Sequence, residues 1–335
     1  MTREADIRVV QRHGLRYAAL RVLQMLPTLV LVLLTTFVLL QWAPGDMVQV
    51  MAGETGGASP EYMERLRESF GMNAPLHMQF LRYAGGVLRG DLGFSFRNNM
   101  PVSQLLLSRL PATVLLATAA LMISVVLGLA GGVVAATWRG RWPDHCVSLV
   151  ALLLYALPVF LSGVALILLF GVALPWLPVG GFTAAYGVET NWQYVQSVAT
   201  HLVLPAVTLG TAYAAIHVRL TRGAMLEVQG HDFVRTARSK GLSPARIVWR
   251  HSFRNALLPL VTVIGMQTGS MLGGAILVET VFAWPGLGRL AFEALQQRDY
   301  NLLAGLILCS GTLVVVINLV VDLVYSVLDP RVRIR

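Results

Sequence analysis

Residues 112–136 read ATVLLATAALMISVVLGLAGGVVAA, a stretch without a single charged side chain. A helix needs about 20 mostly apolar residues to cross the hydrocarbon core of a bilayer, and this stretch is long enough to do so. Further runs of the same character lie on both sides of it. The sequence therefore predicts an all-α membrane protein with spans at 22–41, 112–136, 146–170, 202–220, 259–282 and 302–327.

The composition supports the membrane class. Of 335 residues, 56% are hydrophobic and only 13% are charged, which excludes most soluble domains and disordered chains. The first apolar run follows Arg12, Arg16 and Arg21 as in a signal peptide, but no small-residue cleavage site comes after it, so we expect a retained helix. Cys146 and Cys309 lie in different spans, and their spacing indicates neither a disulfide framework nor a metal site.

The distribution of basic residues predicts the orientation of the chain. Lysine and arginine are enriched in short loops on the cytoplasmic face of membrane proteins. With the N-terminus inside, most of the 26 lysine and arginine residues fall on the cytoplasmic side. We therefore expect a multi-pass protein of the bacterial inner (plasma) membrane, with a cytoplasmic N-terminus at 1–21 and a cytoplasmic tail at 328–335. The net charge of +9 then indicates topology rather than binding of nucleic acid.

The segment at 42–110 lies between the first two spans and is long enough to fold locally. In the predicted orientation it is a periplasmic insertion, and residues 111–327 form the rest of the membrane core. Within the insertion, Ser59 and Pro60 are typical of a helix start and Gly71 of a helix end.

The cytoplasmic loop at 221–258 is the only sizeable inner loop in this arrangement. Its pattern predicts a helix capped by Asp232 and ended by Gly241, then a second helix that starts at Ser243 and Pro244. The second helix carries a basic stripe beside an apolar one, formed by Arg246, Arg250 and Arg254 and by Trp249, Phe253 and Leu257. Such a helix either rests on anionic lipid or docks to a partner protein.

Residue patterns for catalysis are missing from the sequence. Lys240 is the only lysine and is followed by Gly241 rather than by Ser or Thr, so the phosphate-binding loop of ATPases is excluded. No nucleophile elbow and no zinc-binding histidine pair occurs either. We predict no catalytic residues, no metal ligands and no bound cofactor, so that any ATP and Mg²⁺ would bind to another chain.

The fifth predicted span carries small residues at intervals of four. Gly265, Gly269 and Gly273 alternate with the polar residues Gln267 and Ser270. Glycine at this spacing lets helices approach closely, and the polar side chains are candidates for lining a substrate path. A similar glycine pair in the second span, Gly128 and Gly132, indicates close packing only.

Blocks of residues along nearly the whole chain match one family in order. Residues 232–242 read DFVRTARSKGL and residues 279–288 read ETVFAWPGLG. Other matching blocks lie at 43–46, 70–76, 90–95, 109–113, 157–160, 201–205, 250–259, 298–300 and 329–331. The chain resembles the first permease subunit of the dipeptide, oligopeptide and nickel branch of ABC importers.

This resemblance implies a type I importer permease with six spans. The helix that ends at Gly241 is similar to the coupling helix that importer permeases insert into an ATPase, which favours docking over lipid binding. The corresponding residues are Asp232, Phe233, Arg235, Thr236, Ala237, Lys240 and Gly241. Arg235 stands where the general importer pattern has glutamate, so a contact made through that glutamate does not carry over.

The resemblance also implies the partners and the transported solute. We expect a second, homologous permease subunit, two ATPase subunits and a periplasmic or lipid-anchored substrate-binding protein, with membrane lipid around the spans. Candidates for the substrate path or the outer gate are Gln267, Ser270, Glu279, Pro285 and Gly286. The spans contain no cluster of metal-binding side chains, which favours peptide-sized solutes over bare nickel. The alternatives are a stand-alone secondary carrier or channel, which the scarcity of midplane charge disfavours, and a membrane enzyme.

Overall fold

A computed structural model describes residues 2–42, 61, 64–65, 74–184, 186–187 and 189–328, without the side chains of 2–20, 22, 258 and 324–328. The matching blocks at 43–46 and 329–331 lie outside the described residues. So do the start and the end of the helix predicted in the insertion, at Ser59, Pro60 and Gly71, although Glu61, Glu64 and Arg65 are helical.

Almost all the regular structure in the described part of the chain is helical. A short antiparallel hairpin pairs β1 (Phe94–Ser95) with β2 (Met100–Pro101). The helices are α1 (Thr2–Trp42), α2 (Leu76–Leu88), α3 (Val102–Thr137), α4 (Trp142–Ala156), α5 (Val159–Leu166, extended by a π-helical turn at Ile167–Ala173), α6 (Asn191–Gln229), α7 (Asp232–Ser239), α8 (Pro244–Arg246, followed by a π-helical turn at Ile247–Phe253), α9 (Arg254–Val281), α10 (Leu287–Gln297) and α11 (Tyr300–Leu328).

Five of these helices are long and apolar enough to cross a membrane, when only the described residues are searched. They lie in α1, α3, α6, α9 and α11. The pair formed by α4 and α5 makes a sixth span if it is counted as one broken helix. The predicted all-α membrane fold is thus confirmed.

The third predicted span, 146–170, is not a straight helix. It bends by 105° between α4 and α5, at Leu157 and Pro158. Proline lacks a backbone N–H and disfavours helical dihedral angles in the residue before it, and Leu157 is indeed extended, with φ −76° and ψ 130°. The hydropathy of this segment is continuous, so hydropathy alone does not indicate the break.

α6 extends well beyond the predicted span at 202–220. It begins with a capping box in which the backbone N–H of Gln193 donates to Thr190 Oγ1 (3.3 Å) and the backbone N–H of Thr190 donates to Gln193 Oε1 (3.0 Å). It ends only at Gln229, so the first part of the predicted inner loop is helical. Pro205 lies inside this helix.

The chain divides into two compact units, one of which contains residues 111–289. Its largest hydrophobic core is formed by α3, α6 and α9 and includes Leu116, Leu209, Met271, Phe282 and Trp284. The burial of these side chains holds the three helices together. The other unit contains the described residues of 20–110 together with Leu290–Val315.

In this second unit, Asp299 connects the hairpin to the start of α11. Its carboxylate accepts a hydrogen bond from the hydroxyl of Ser95 and another from the backbone N–H of Leu302 (3.1 Å). The second bond caps the N-terminus of α11. Asn301 adds a hydrogen bond to the carbonyl oxygen of Phe94 (3.1 Å). One buried side chain therefore anchors both elements.

Glycines bring α3 and α6 into close contact. A Cβ atom placed on Gly128 would overlap with Cβ of His217, and one on Gly132 would overlap with Thr221. On α9, a Cβ on Gly265 would overlap with Val321, whereas Gly273 has no neighbour within 4 Å. The glycine pair of α3 is thus a packing interface, and only part of the glycine series on α9 is.

We expect Gly128→Ala to destabilise the chain by about 1–3 kcal/mol, because the added methyl group has no space and the helices must move apart. The melting temperature of the purified protein in detergent measures this. Gly223→Ala is the matched control on α6, since a Cβ there meets nothing within 4 Å. Equal melting temperatures for the two variants would contradict the packing role of Gly128.

Candidate functional site

The segment at 232–241, which the family resemblance predicts to be the coupling segment, contains α7 and its C-terminal turn. Asp232 was predicted to cap this helix, but His231 occupies the N-cap position and Asp232 is the first helical residue. The Asp232 carboxylate instead lies 3.5 Å from the guanidinium of Arg235. Both groups are exposed, so this ion pair contributes little to stability.

One face of α7 is buried. Val234 and Ala237 pack with Ile247 from the π-helical turn, and Val228 and Leu242 surround them. Val234 and Ala237 are three positions apart on α7, which places them on the same side of this helix. The coupling segment is therefore held against the rest of the chain by a small apolar cluster.

The end of α7 is closed by its own backbone. The N–H of Gly241 donates to the carbonyl of Arg238 (2.9 Å), and the N–H of Leu242 donates to the carbonyl of Ala237 (3.3 Å). Gly241 has φ +71°, a conformation that glycine adopts without strain. Gly241 therefore ends the helix, as the sequence indicated.

The opposite face of the coupling segment is exposed and basic. Phe233, Arg235, Thr236 and Lys240 are all exposed. Further exposed cations lie beside them, at Arg238, Arg246 and Arg250. The surface thus combines one aromatic ring with several positive charges, an arrangement that suits a partner with an apolar pocket and acidic surroundings.

The second helix of the inner loop differs from the prediction. Residues Ile247–Phe253 form a π-helical turn, so an α-helical stripe of Arg246, Arg250 and Arg254 is not maintained. In this turn Trp249 packs edge-to-face on Phe253, with ring centroids 5.3 Å apart. The sequence contains no proline or glycine inside this turn that would signal the change.

A partly buried ion pair supports the helix that leads into the coupling segment. Arg222 of α6 donates from Nε to Asp144 Oδ1 (2.7 Å) and from its terminal nitrogen to Oδ2 (2.9 Å). Asp144, on α4, also accepts from the backbone N–H of Gly140 (3.0 Å) and lies 3.3 Å from the Ser148 hydroxyl. α4 and α6 are thereby joined close to the point where α6 ends.

The second candidate region is the segment at 279–289, named the Glu279 loop below. The side chain of Glu279 is completely buried. Oε1 accepts from the Thr113 hydroxyl (2.7 Å), Oε2 accepts from the backbone N–H of Arg289 (3.0 Å), and the N–H of Gly288 donates to the same carboxyl group. The Thr113 oxygen in turn accepts from the N–H of Leu287 (2.7 Å). Glu279 and Thr113 together bind the free N–H groups at the start of α10.

The other residues of the Glu279 loop fix its path. Trp284 is buried, donates from its indole nitrogen to the carbonyl of Ala112 (2.9 Å), and packs against Phe182 with centroids 4.8 Å apart. A Cβ atom on Gly286 would overlap with the Glu279 carboxyl group. Pro285, between Trp284 and Gly286 in the sequence, is half-buried. Glu279, Pro285 and Gly286 are thus brought together in one packed turn.

Gln267 and Ser270 lie apart from this turn, on α9. Ser270 is exposed, and its carbonyl accepts from the Tyr213 hydroxyl (2.9 Å). The carbonyl oxygen of the Gln267 side chain and both ring nitrogens of His217 are buried. These two side chains therefore place polar atoms inside the helical core.

Family models match both halves of the chain. Residues 128–334 match the model for the binding-protein-dependent transport system inner membrane component. Residues 14–117 match the model for the N-terminal part of membrane components of the same transport systems. The two matches together cover nearly the whole sequence.

Similar full-length proteins occur among bacterial transport systems. The dipeptide transport system permease protein DppB of Escherichia coli (strain K12) is 42% identical over 328 residues, covering 92% of this chain and 96% of that protein. The di/tripeptide transport system permease protein DppB of Pseudomonas aeruginosa (strain UCBPP-PA14) is 41% identical, covering 95% and 99%. The glutathione transport system permease protein GsiC of E. coli (strain K12) is 38% identical, covering 96% and 100%.

The fold also occurs among solved transporter structures. In two crystal forms of the inward-facing MetNI methionine ABC transporter, one chain matches with TM-scores of 0.53 and 0.55 at 20% and 19% identity. Each match covers 68% of this chain and 97% of the transporter chain. At this identity the likeness shows the fold alone.

Proposed function

Because the chain belongs to the family of binding-protein-dependent transport system inner membrane components, we propose that it forms one half of the passage through which an ABC importer carries short peptides or similar small solutes. Members of this family are membrane permease subunits, and ATP is hydrolysed on separate ATPase subunits. The chain is accordingly a transport subunit of the inner membrane rather than an enzyme.

The coupling segment is the observation that carries the proposal. It is a short helix with a buried face that fixes it to the chain and an exposed face of Phe233 and several cations. We assign this face to docking on an ATPase subunit. ATP and Mg²⁺ bind to that subunit, so that ATP-driven closure of the ATPases displaces the coupling segment and, through α6, the membrane helices.

Partners and orientation follow from this assignment. The permease pairs with a second, homologous permease subunit, each of the two docks one ATPase, and a substrate-binding protein delivers the solute from the periplasm. The coupling segment must then face the cytoplasm, and so must both termini. This is the orientation that the basic residues predict.

The relatives support a short peptide as the solute. Their names refer to dipeptides, to di- and tripeptides and to glutathione, which is itself a tripeptide. We propose that exposed polar groups on α9, such as Ser270, line the passage for such solutes. The selection between peptides rests mainly with the binding protein, because it meets the solute first.

Co-purification tests the docking face. We expect wild-type chain, co-expressed with its second permease, to retain the ATPase, and the double variant Phe233→Asp, Arg235→Glu to bind it at least about 30-fold more weakly, as for the loss of a hot spot worth about 2 kcal/mol. Both side chains are exposed, so the variant should insert and fold normally. Arg139→Glu is the control, because it makes the same charge change as Arg235→Glu alone, at an exposed position on the same predicted side of the membrane.

If the double variant retained the ATPase as well as the control does, the coupling segment would not be the docking face. If wild-type chain bound no ATPase even in the presence of the second permease, the importer assignment would fail. A lone carrier, with its basic loop resting on lipid, would then replace it.

A further inference from the structure

Helix α2 packs against the end of the first span. Phe80 contacts Phe37 of α1 edge-to-face, with centroids 5.4 Å apart, and Tyr83 lies 5.9 Å from the same ring. Gln41 Nε2 donates to Gln79 Oε1 (2.7 Å). Burial of Tyr83 in this contact raises its pKa to about 12.

These contacts define how deep α2 lies relative to the bilayer. Trp42, at the end of the span, is exposed, and tryptophan at a span end marks the level of the lipid headgroups. Phe37 lies five residues earlier, which is about 7 Å along the helix axis. α2 therefore meets the span where the headgroups adjoin the acyl chains.

The face of α2 opposite to this contact is apolar. Met78, Leu81 and Leu88 are exposed by 46%, 64% and 87%. Met78, Leu81, Gly85 and Leu88 follow one another at spacings of three or four residues, which places them in one stripe along the helix. Arg82 and Arg89 are exposed beside this stripe and lie one residue after each leucine.

We propose that α2 is an interfacial helix whose Met78, Leu81 and Leu88 stripe is inserted into one leaflet of the membrane. The depth of the contact with α1 places the stripe about 5–10 Å inside the headgroup boundary, where such helices bury their apolar side. Arg82 and Arg89 extend from the edge of the stripe toward lipid phosphates, as long cationic side chains do at interfaces. The occupant of this face is thus lipid, and α2 fixes the level at which the first span sits.

Fluorescence quenching tests this placement on the assembled transporter. Cys146→Ser and Cys309→Ser remove the native thiols, and a fluorophore sensitive to polarity is attached at Leu81→Cys or Leu88→Cys. Leu31→Cys, an exposed position within the first span, serves as the lipid-facing reference. The complex is reconstituted into vesicles of phosphatidylethanolamine and phosphatidylglycerol that contain lipids with a nitroxide near the top of the acyl chain.

We expect both α2 labels to be quenched by the nitroxide lipid to an extent comparable with the reference, to emit at short wavelength, and to be nearly insensitive to iodide in solution. Quenching by iodide and not by the nitroxide would place the stripe in water and overturn the proposal. Protection from both quenchers would show that another protein subunit covers it, which overturns the proposal equally. Two label positions on one stripe guard against a local effect of either substitution.

Discussion

Replacing Glu279 by alanine should strongly lower the stability of the chain. The substitution leaves the Thr113 hydroxyl and the N–H groups of Gly288 and Arg289 without an acceptor in a buried site. Each buried donor left without a partner costs about 1–3 kcal/mol. We therefore expect a loss of several kcal/mol, seen as a large fall in the melting temperature of the detergent-purified protein.

Two further variants show whether the effect comes from the hydrogen bonds. Glu279→Gln keeps the size and one acceptor oxygen, so its melting temperature should lie between those of wild type and Glu279→Ala. Glu227→Ala removes an exposed carboxylate and should leave stability unchanged. A Glu279→Ala protein with the wild-type melting temperature but altered transport would instead indicate the gating role predicted from the sequence.

A similar loss is expected when Asp144 is replaced by alanine. Arg222 then loses both of its hydrogen bonds, and the N–H of Gly140 loses its acceptor. Removing one partner of a buried ion pair costs about 3–5 kcal/mol, and we expect the lower end because one third of the Arg222 side chain is exposed. Thermal unfolding in detergent measures the loss.

The double variant Asp144→Leu, Arg222→Leu is the matched test of the pair. It leaves neither an unpaired charge nor a cavity, and it should recover most of the stability that Asp144→Ala loses. Recovery would show that the cost comes from the unpaired arginine. Equal destabilisation by the single and double variants would mean that Asp144 acts mainly through the turn at Gly140 rather than through Arg222.

The sequence predicts most of the fold because each span carries its own signal. A run of apolar side chains identifies a membrane helix without reference to any other part of the chain. Helix ends that are polar carry no such signal, and so α6 extends beyond its predicted limits on both sides. Pro158 was visible in the sequence, but a proline within a continuous apolar run does not show whether the helix bends slightly or breaks.

The end of the helix in the coupling segment was predictable for the same reason, because Gly241 follows it directly in the sequence. Its start was not, since His231 occupies the N-cap position that was predicted for Asp232. The contacts of the Glu279 loop were not predictable, since Thr113 and Glu279 are 166 positions apart. Asp144 and Arg222 are separated by 78 positions, and each on its own resembles an ordinary charged residue near the end of a span, so their pairing was not predictable either.

The length of α6 has a mechanical consequence. Its 39 residues extend about 58 Å, from the capping box at Thr190 to the start of the coupling segment. The helix is packed into the hydrophobic core on either side of Pro205, through Leu204 and Ala206, and a pivot at this point divides it into arms of about 21 Å and 36 Å. A tilt about Pro205 moves the Gln229 end roughly 1.7 times as far as the Asn191 end. α6 is thus a lever with unequal arms. A displacement of its Gln229 end, next to the coupling segment, produces a smaller displacement with greater force at its Asn191 end.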